Sequence, residues 1–169
     1  MKKQLLLSLL MLAGALGVAC SDNEDPIIEP PTPTTTTLTV GYTFTVSQAY
    51  LTLADVTVTF LNAEGVQQSE PMTSTTWSKS FTANQSREFG YTVNVVAKAN
   101  LDALLTEDSY VLSTSYKDSY KSNTNQGREE YRSSTITIAN KRIADYLLKH
   151  KELHKFYLKW DKASDTFIK

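Results

Sequence analysis

Alternation of apolar and polar side chains with a period of two is the feature that most restricts the fold of this chain. In the segment 38–46 the odd-numbered positions hold threonine and glycine, and the even-numbered positions are apolar or aromatic. Successive side chains of a strand point to opposite faces of a sheet, so this spacing predicts half-buried strands. The same spacing covers residues 56–60, 75–82, 89–99, 110–117, 131–139 and 156–160.

The segment 89–99 is the longest of these runs and is rich in β-branched and aromatic residues, which predicts a central strand. Leu51 and Leu53 are consistent with a short strand, and 166–169 with the last strand of a hairpin. The polar stretch 117–130 is interpreted as a long exposed loop, which is uncommon in a compact domain.

One segment has helical spacing instead. Ile143, Tyr146 and Leu147 predict a short helix over 141–149 that packs on the sheet, with Asn140 as its N-cap. No helical pattern precedes Thr135, which argues against parallel βαβ units. About seven or eight short strands with one late helix predict an antiparallel β-sandwich. Both an immunoglobulin-like and a transthyretin-like sandwich fit, and the immunoglobulin cysteine pair is absent.

The first 19 residues have the layout of a secretory signal peptide. Lys2 and Lys3 are followed by an apolar run of about a dozen residues, which is shorter than the ~20 residues of a spanning helix. Small or modest residues then precede Cys20, the only cysteine of the chain, so no internal disulfide can form.

The segment that ends at Cys20 resembles the lipobox of bacterial lipoproteins. Val18, Ala19 and Cys20 match it, and Gly17 departs from the aliphatic residue usual there. Residues 21–25, Ser-Asp-Asn-Glu-Asp, are similar to the acidic export tag of lipoproteins in Bacteroidota. The resemblance implies a lipid on Cys20, which becomes the N-terminus, and an outer-membrane protein that faces the cell exterior; a periplasmic orientation is the alternative. Several acyl chains anchor a protein without a spanning helix.

Residues 20–37 are predicted to form a lipidated, proline- and threonine-rich stalk, because proline-rich chain is extended and semi-rigid. Residues 38–169 are long enough for one domain. Without the leader the chain has 15 basic and 18 acidic residues, a net charge near −3, which does not suggest nucleic-acid binding. Basic residues gather near the C-terminal end among a few acids, a pattern typical of a solvated face, with an anion-binding patch as the alternative.

The residues that carry chemistry form no recognisable catalytic motif. His150 and His154 are the only histidines, and on a helix their spacing would place both rings on one face, as in some zinc sites. The order His-Glu-x-x-His is absent and no third histidine exists, so two exposed histidines are the favoured interpretation and no metal or cofactor is predicted. No serine lies in a Gly-x-Ser-x-Gly turn.

Aromatic residues are the remaining lead, because flat rings stack on sugar faces. Tyr110, Tyr116, Tyr120 and Tyr131 flank or enter the segment 117–130 and could form a glycan platform. The alternative is that Tyr110 and Tyr116 face the core; Trp77 and Trp160 lie on apolar faces and are predicted to be core residues.

The sequence thus predicts a non-enzymatic envelope lipoprotein that binds a glycan or an envelope protein. The first alternative is a structural or adhesive subunit of fimbrial type, which predicts an exchangeable edge strand at 38–46. The second is a small hydrolase, which requires convergent titratable groups in a pocket.

Overall fold

The computed structural model describes residues 35–124 and 127–169, and within them the chain is a two-layer antiparallel β-sandwich. The predicted leader, the lipidation site at Cys20, the acidic tag and the stalk up to Thr34 lie outside the described residues. The strands are β1 (Leu38–Val46), β2 (Ala54–Leu61), β3 (Gln67–Pro71), β4 (Thr76–Ala83), β5 (Arg87–Ala97), β6 (Ser109–Ser122), β7 (Arg128–Ala139), β8 (Glu152–Asp161) and β9 (Thr166–Ile168). The helices are α1 (Gln48–Leu53), α2 (Leu101–Leu104) and α3 (Ile143–Lys149).

One sheet has the strand order β4-β1-β6-β7 and the other has the order β3-β2-β5-β8-β9. β5 is central, as its composition predicts. β1 is also central, because it pairs along its length with both β4 and β6. The prediction of an exchangeable edge strand at 38–46 is therefore wrong. In a sheet with one face packed on the core and the other in solvent, central and edge strands show the same alternation, so alternation alone does not distinguish them.

The core lies between the two sheets and is built from the apolar positions of the alternating segments. All five even-numbered side chains of β1 from Leu38 to Val46 are at most 2% exposed. They face β5 and β8, from which Phe89, Tyr91 and Trp160 are fully buried. Trp77 is also buried, so both tryptophans are core residues as predicted. Side chains that meet from two inner faces in this way form the single core of a sandwich.

Two predictions about local structure are wrong. Leu51 and Leu53 belong to the short helix α1, which buries Tyr50 and Leu53 at the i, i+3 spacing of a helix. Two leucines two apart fit either period, so the sequence alone could not decide between them. Leu101–Leu104 forms a further short helix where no element was expected. The described residues form nine strands, close to the predicted seven or eight.

The prediction of a long exposed loop over 117–130 is also wrong. β6 continues to Ser122 and pairs with β7 from Arg128, so only residues 123–127 connect the strands. The period of two persists through this segment, but its inward positions are Asp118, Tyr120 and Ser122. Polar inward residues hide the pattern from an analysis of hydrophobicity.

α3 forms close to its predicted place, behind a 3₁₀ turn at Asn140–Arg142, and buries Ile143 and Leu147 as predicted. Asn140 does not cap it. Its amide instead donates hydrogen bonds to the carbonyl oxygens of Leu105 (3.1 Å) and Glu107 (3.0 Å). This side chain therefore fastens the end of β7 to the connection between α2 and β6.

The strand β3 was not predicted, because its residues are polar on both faces. It helps to close one side of the sandwich. The Glu70 carboxylate accepts hydrogen bonds from Trp77 Nε1 (3.1 Å) and Lys79 Nζ (2.7 Å) on β4 of the other sheet. The ammonium of Lys79 and the indole N–H lower the pKa of Glu70.

The two ends of the sandwich differ. At one end Asn123 holds the chain that leads into β1: its side chain binds the Thr37 N–H (2.8 Å) and the Thr35 carbonyl (3.0 Å). At the other end lie α1, α2 and α3, since each follows a strand that finishes there. A nine-residue strand such as β1 spans about 30 Å between these ends.

Candidate functional site

The side of the sandwich formed by β7 is open. β7 is the edge strand next to β6, and Ile138 is its one buried residue. Its register with β6 pairs Ile138 with Tyr110, Ile136 with Leu112 and Glu130 with Asp118, so the even-numbered residues of β7 face inward. Ile136 is nevertheless 41% exposed. The inner face of β7 therefore forms one wall of an open groove. We name this groove, which consists of the two cavities lined by the inner face of β7, the β7 groove.

The larger cavity, of about 510 Å³, lies between β7 and α3. Its β7 wall includes Ile136 and Ile138. Its α3 wall carries a stacked pair of rings, Tyr146 and His150, whose centroids are 4.1 Å apart. Arg142, Asp145 and Lys149 also line it on the helix side. Apolar, aromatic and charged groups thus meet in one cleft of the size typical of small-ligand sites.

The smaller cavity, of about 270 Å³, lies between β6, β7 and β8 and reaches the Asp118 carboxylate. Asp118 is 2% exposed and accepts hydrogen bonds from Tyr91 OH (2.7 Å) and His154 Nε2 (2.9 Å). The ring of Tyr116 lies over the imidazole of His154, with 4.0 Å between centroids. A buried carboxylate is tolerated when hydrogen bonds satisfy it in this way.

The tyrosine hydroxyls around this carboxylate are held in the neutral form. Burial, with the nearby charge of Asp118, raises the pKa of Tyr91 well above its ordinary value. Burial and the hydrogen bond from Tyr116 OH to Glu130 (3.1 Å) raise the pKa of Tyr116. Both hydroxyls therefore act as hydrogen-bond donors at neutral pH and not as nucleophilic phenolates.

His150 and His154 do not share a helical face, so the interpretation of two exposed histidines is wrong for one of them. His150 follows α3 and is exposed, whereas His154 lies on β8 with a side chain only 9% exposed. α3 ends at Lys149 and β8 begins at Glu152, so the spacing of four between the two histidines is not a helical spacing. Among the described residues, no group of three or more His, Cys, Asp or Glu side chains is placed to hold a metal ion.

The four tyrosines proposed from the sequence do not form one platform. Tyr110 is buried, and its hydroxyl donates to the Leu104 carbonyl (3.1 Å). Tyr116 and Tyr120 are half-buried and line the smaller cavity. Tyr131 is 65% exposed but points away from the groove, on the outer face of β7.

The residues that sequence reasoning missed are Asp118, Glu130 and Tyr146. A signal existed for Asp118, since it continues the inward positions Leu112, Thr114 and Tyr116 of β6. No local signal places α3 across the larger cavity from β7, because that arrangement depends on the sheet order.

Comparisons of this chain with protein-family models, with curated proteins and with solved structures gave no match. None of the helices in the described part of the chain is long and apolar enough to cross a membrane.

Proposed function

We propose that this chain is a non-enzymatic, lipid-anchored envelope protein whose β-sandwich binds a glycan in the β7 groove. The observation that carries the proposal is the larger cavity. It combines an aromatic pair, Tyr146 and His150, with the apolar side chain of Ile136 and with charged groups at its margin. Tyrosine offers a flat apolar face with a polar tip, which suits a sugar ring with its C–H face and its hydroxyls.

The anchor rests on the resemblance of the segment at Cys20 to a lipobox. The acidic residues that follow support an outer-membrane location with the domain facing the cell exterior. A lipid attached to a chain that leads into β1 would hold the domain by the end opposite the helices. The β7 groove opens along the side of the sandwich, and its larger cavity lies at the helical end.

Substitution of Cys20 with alanine is expected to move the protein from the membrane fraction to the soluble fraction of the cell. The thioether to the lipid cannot form without the Cys20 sulfur, and several acyl chains are needed for stable anchoring. Fractionation and immunoblotting measure the change. Ser21→Ala is the matched control and should remain with the membrane. Retention of the Cys20→Ala protein would contradict the lipid anchor.

A non-catalytic role is supported by the partners of His154. Its one hydrogen bond among the described residues goes to Asp118, and Asp118 is in turn bound by Tyr91. A serine hydrolase needs a hydroxyl nucleophile on the imidazole, and no serine or threonine within the described ranges bonds to it. The buried pair joins the two sheets, since Asp118 lies on β6 and His154 on β8.

A protein partner is the second candidate, and the free edge of β7 favours it. β7 has 12 residues, and its second half, from Ser134 to Ala139, carries no charge that would discourage the addition of a strand. An adhesive or structural subunit could use this edge, whereas β1 is paired on both sides. We expect Thr135→Lys to block an added strand and to leave glycan binding on the array intact.

We expect the full chain, purified in detergent, to bind a subset of a glycan array, and Ile136→Trp to reduce that binding more than about tenfold by filling the larger cavity. Val111→Trp is the matched control. Val111 is 54% exposed on the outer face of the same sheet and carries a similar side chain. Equal loss in both variants, or no glycan bound by the parent chain, would overturn the proposal.

A further inference from the structure

The helix wall of the larger cavity carries two cationic side chains that make no ion pair with any other described residue. Arg142 and Lys149 line the cavity, and neither side chain makes a hydrogen bond or an ion pair with another described residue. Their spacing of seven places them on one side of the turn and helix that they flank, together with Tyr146. One acid, Asp145, lies beside them.

A histidine ring, that of His150, adds a polar group to this wall. His150 Nδ1 lies 2.9 Å from the Tyr146 carbonyl oxygen and is therefore the protonated ring nitrogen in that contact. The ring stacks on Tyr146 and remains exposed. The cavity thus has cationic or polar groups on its helix side and the apolar side chains of Ile136 and Ile138 on its strand side.

Acidic groups elsewhere in the β7 groove are already satisfied by the protein. Glu130 accepts from Tyr116 and contacts Arg128 (3.5 Å) and Arg132 (3.4 Å). Asp118 is occupied by Tyr91 and His154, as described above. The positive charge at the α3 end is therefore not balanced by neighbouring carboxylates other than Asp145, although the whole chain has a net charge of −1.

We propose that the glycan bound in the larger cavity is anionic, with a carboxylate or sulfate group held by Arg142 and Lys149 and a sugar ring against Tyr146. Guanidinium groups bind planar carboxylates through two parallel hydrogen bonds, and an ammonium group adds a compact charge. The apolar wall at Ile136 accepts the C–H face of the ring. This inference rests on the proposed function and specifies the class of its ligand.

The test uses the full chain in detergent and three probes. They are a galacturonic acid hexamer, the same hexamer after its carboxylates are reduced to hydroxymethyl groups, and a sulfated oligosaccharide of similar length. The double variant Arg142→Ala/Lys149→Ala is compared with Lys121→Ala/Lys159→Ala. The second variant removes the same charge from the outer faces of the two sheets. Affinity is measured by calorimetry at low and high salt.

We expect the affinity for at least one acidic probe to exceed the affinity for the carboxyl-reduced hexamer by a factor of about ten or more. Its affinity should fall by a similar factor in Arg142→Ala/Lys149→Ala, stay within about twofold in the control, and decrease with added salt because exposed charges are screened. The reduced hexamer could instead bind as tightly as both acidic probes, with only Ile136→Trp weakening that binding. This result would overturn the proposal of an anionic ligand and would support a neutral glycan. Absence of binding to any probe and to the array would overturn both proposals.

Discussion

Replacement of Gly90 with alanine is expected to lower the free energy of unfolding by about 3 kcal/mol or more. Gly90 lies in β5 at the centre of its sheet with φ +150°, a conformation that residues with a side chain rarely adopt. An added Cβ would lie 2.1 Å from the Phe156 carbonyl oxygen and 2.7 Å from the Tyr157 Cα. Both atoms belong to the backbone of β8, which cannot move without loss of the β5–β8 ladder.

Urea denaturation followed by tryptophan fluorescence measures this effect, because Trp77 and Trp160 are both buried. Gly41→Ala is the matched control, since Gly41 is also in a central strand and has ordinary φ. A Cβ there meets only the Ser119 Oγ, at 2.8 Å, and that side chain can rotate away. Equal stability of the Gly90→Ala protein and the parent would show that β5 and β8 are not in this close register.

Substitution of Asp118 with alanine is expected to cost about 3 kcal/mol, because it leaves Tyr91 OH and His154 Nε2 buried without partners. The carboxylate joins three strands of both sheets, with Asp118 on β6, Tyr91 on β5 and His154 on β8. The loss is measured by the same denaturation experiment. The Asp118→Ala protein should also open more readily along the β7 groove, which hydrogen exchange of β7 and β8 would report.

Asp118→Asn provides the control for shape. The amide keeps an oxygen for the Tyr91 hydroxyl and fills the same volume, so we expect a smaller loss than for alanine. A double-mutant cycle with His154→Ala should give a coupling free energy above about 0.5 kcal/mol, as contacting residues do. Strict additivity of the two substitutions would mean that the pair does not stabilise the sandwich.

The fold class could be predicted because most of the strands carry the same local signal. Burial alternates along β1 in step with the sequence, from Leu38 to Val46, and the same holds for most of β5. β3 and the second half of β6 escaped prediction for one reason: their inward or paired positions are polar. Hydrogen bonds, and not hydrophobicity, hold Glu70 and Asp118 in place, and a single sequence does not show which partners will meet them.

The candidate site could be predicted only in fragments. Basic residues near the C-terminal end were visible, and the alternative of an anion-binding patch follows from them, but nothing local places Arg142 and Lys149 opposite β7. Tyr116 was selected as an aromatic residue and lines the smaller cavity, while its contact with His154 depends on the packing of the two sheets. Which residues meet at the site is determined by the pairing and packing of strands that are distant in the sequence. The sequence encodes this pairing only indirectly.

The position of β1 has a mechanical consequence. The chain reaches this strand at the end held by Asn123, and the larger cavity lies beyond its other end. A force applied between a tether at Thr35 and a ligand beside α3 would act parallel to the axis of β1. Hydrogen bonds to β4 and β6 would then be strained together in shear instead of breaking one after another. If the chain is anchored and holds a ligand as proposed, this arrangement of β1 would keep the domain folded under that force.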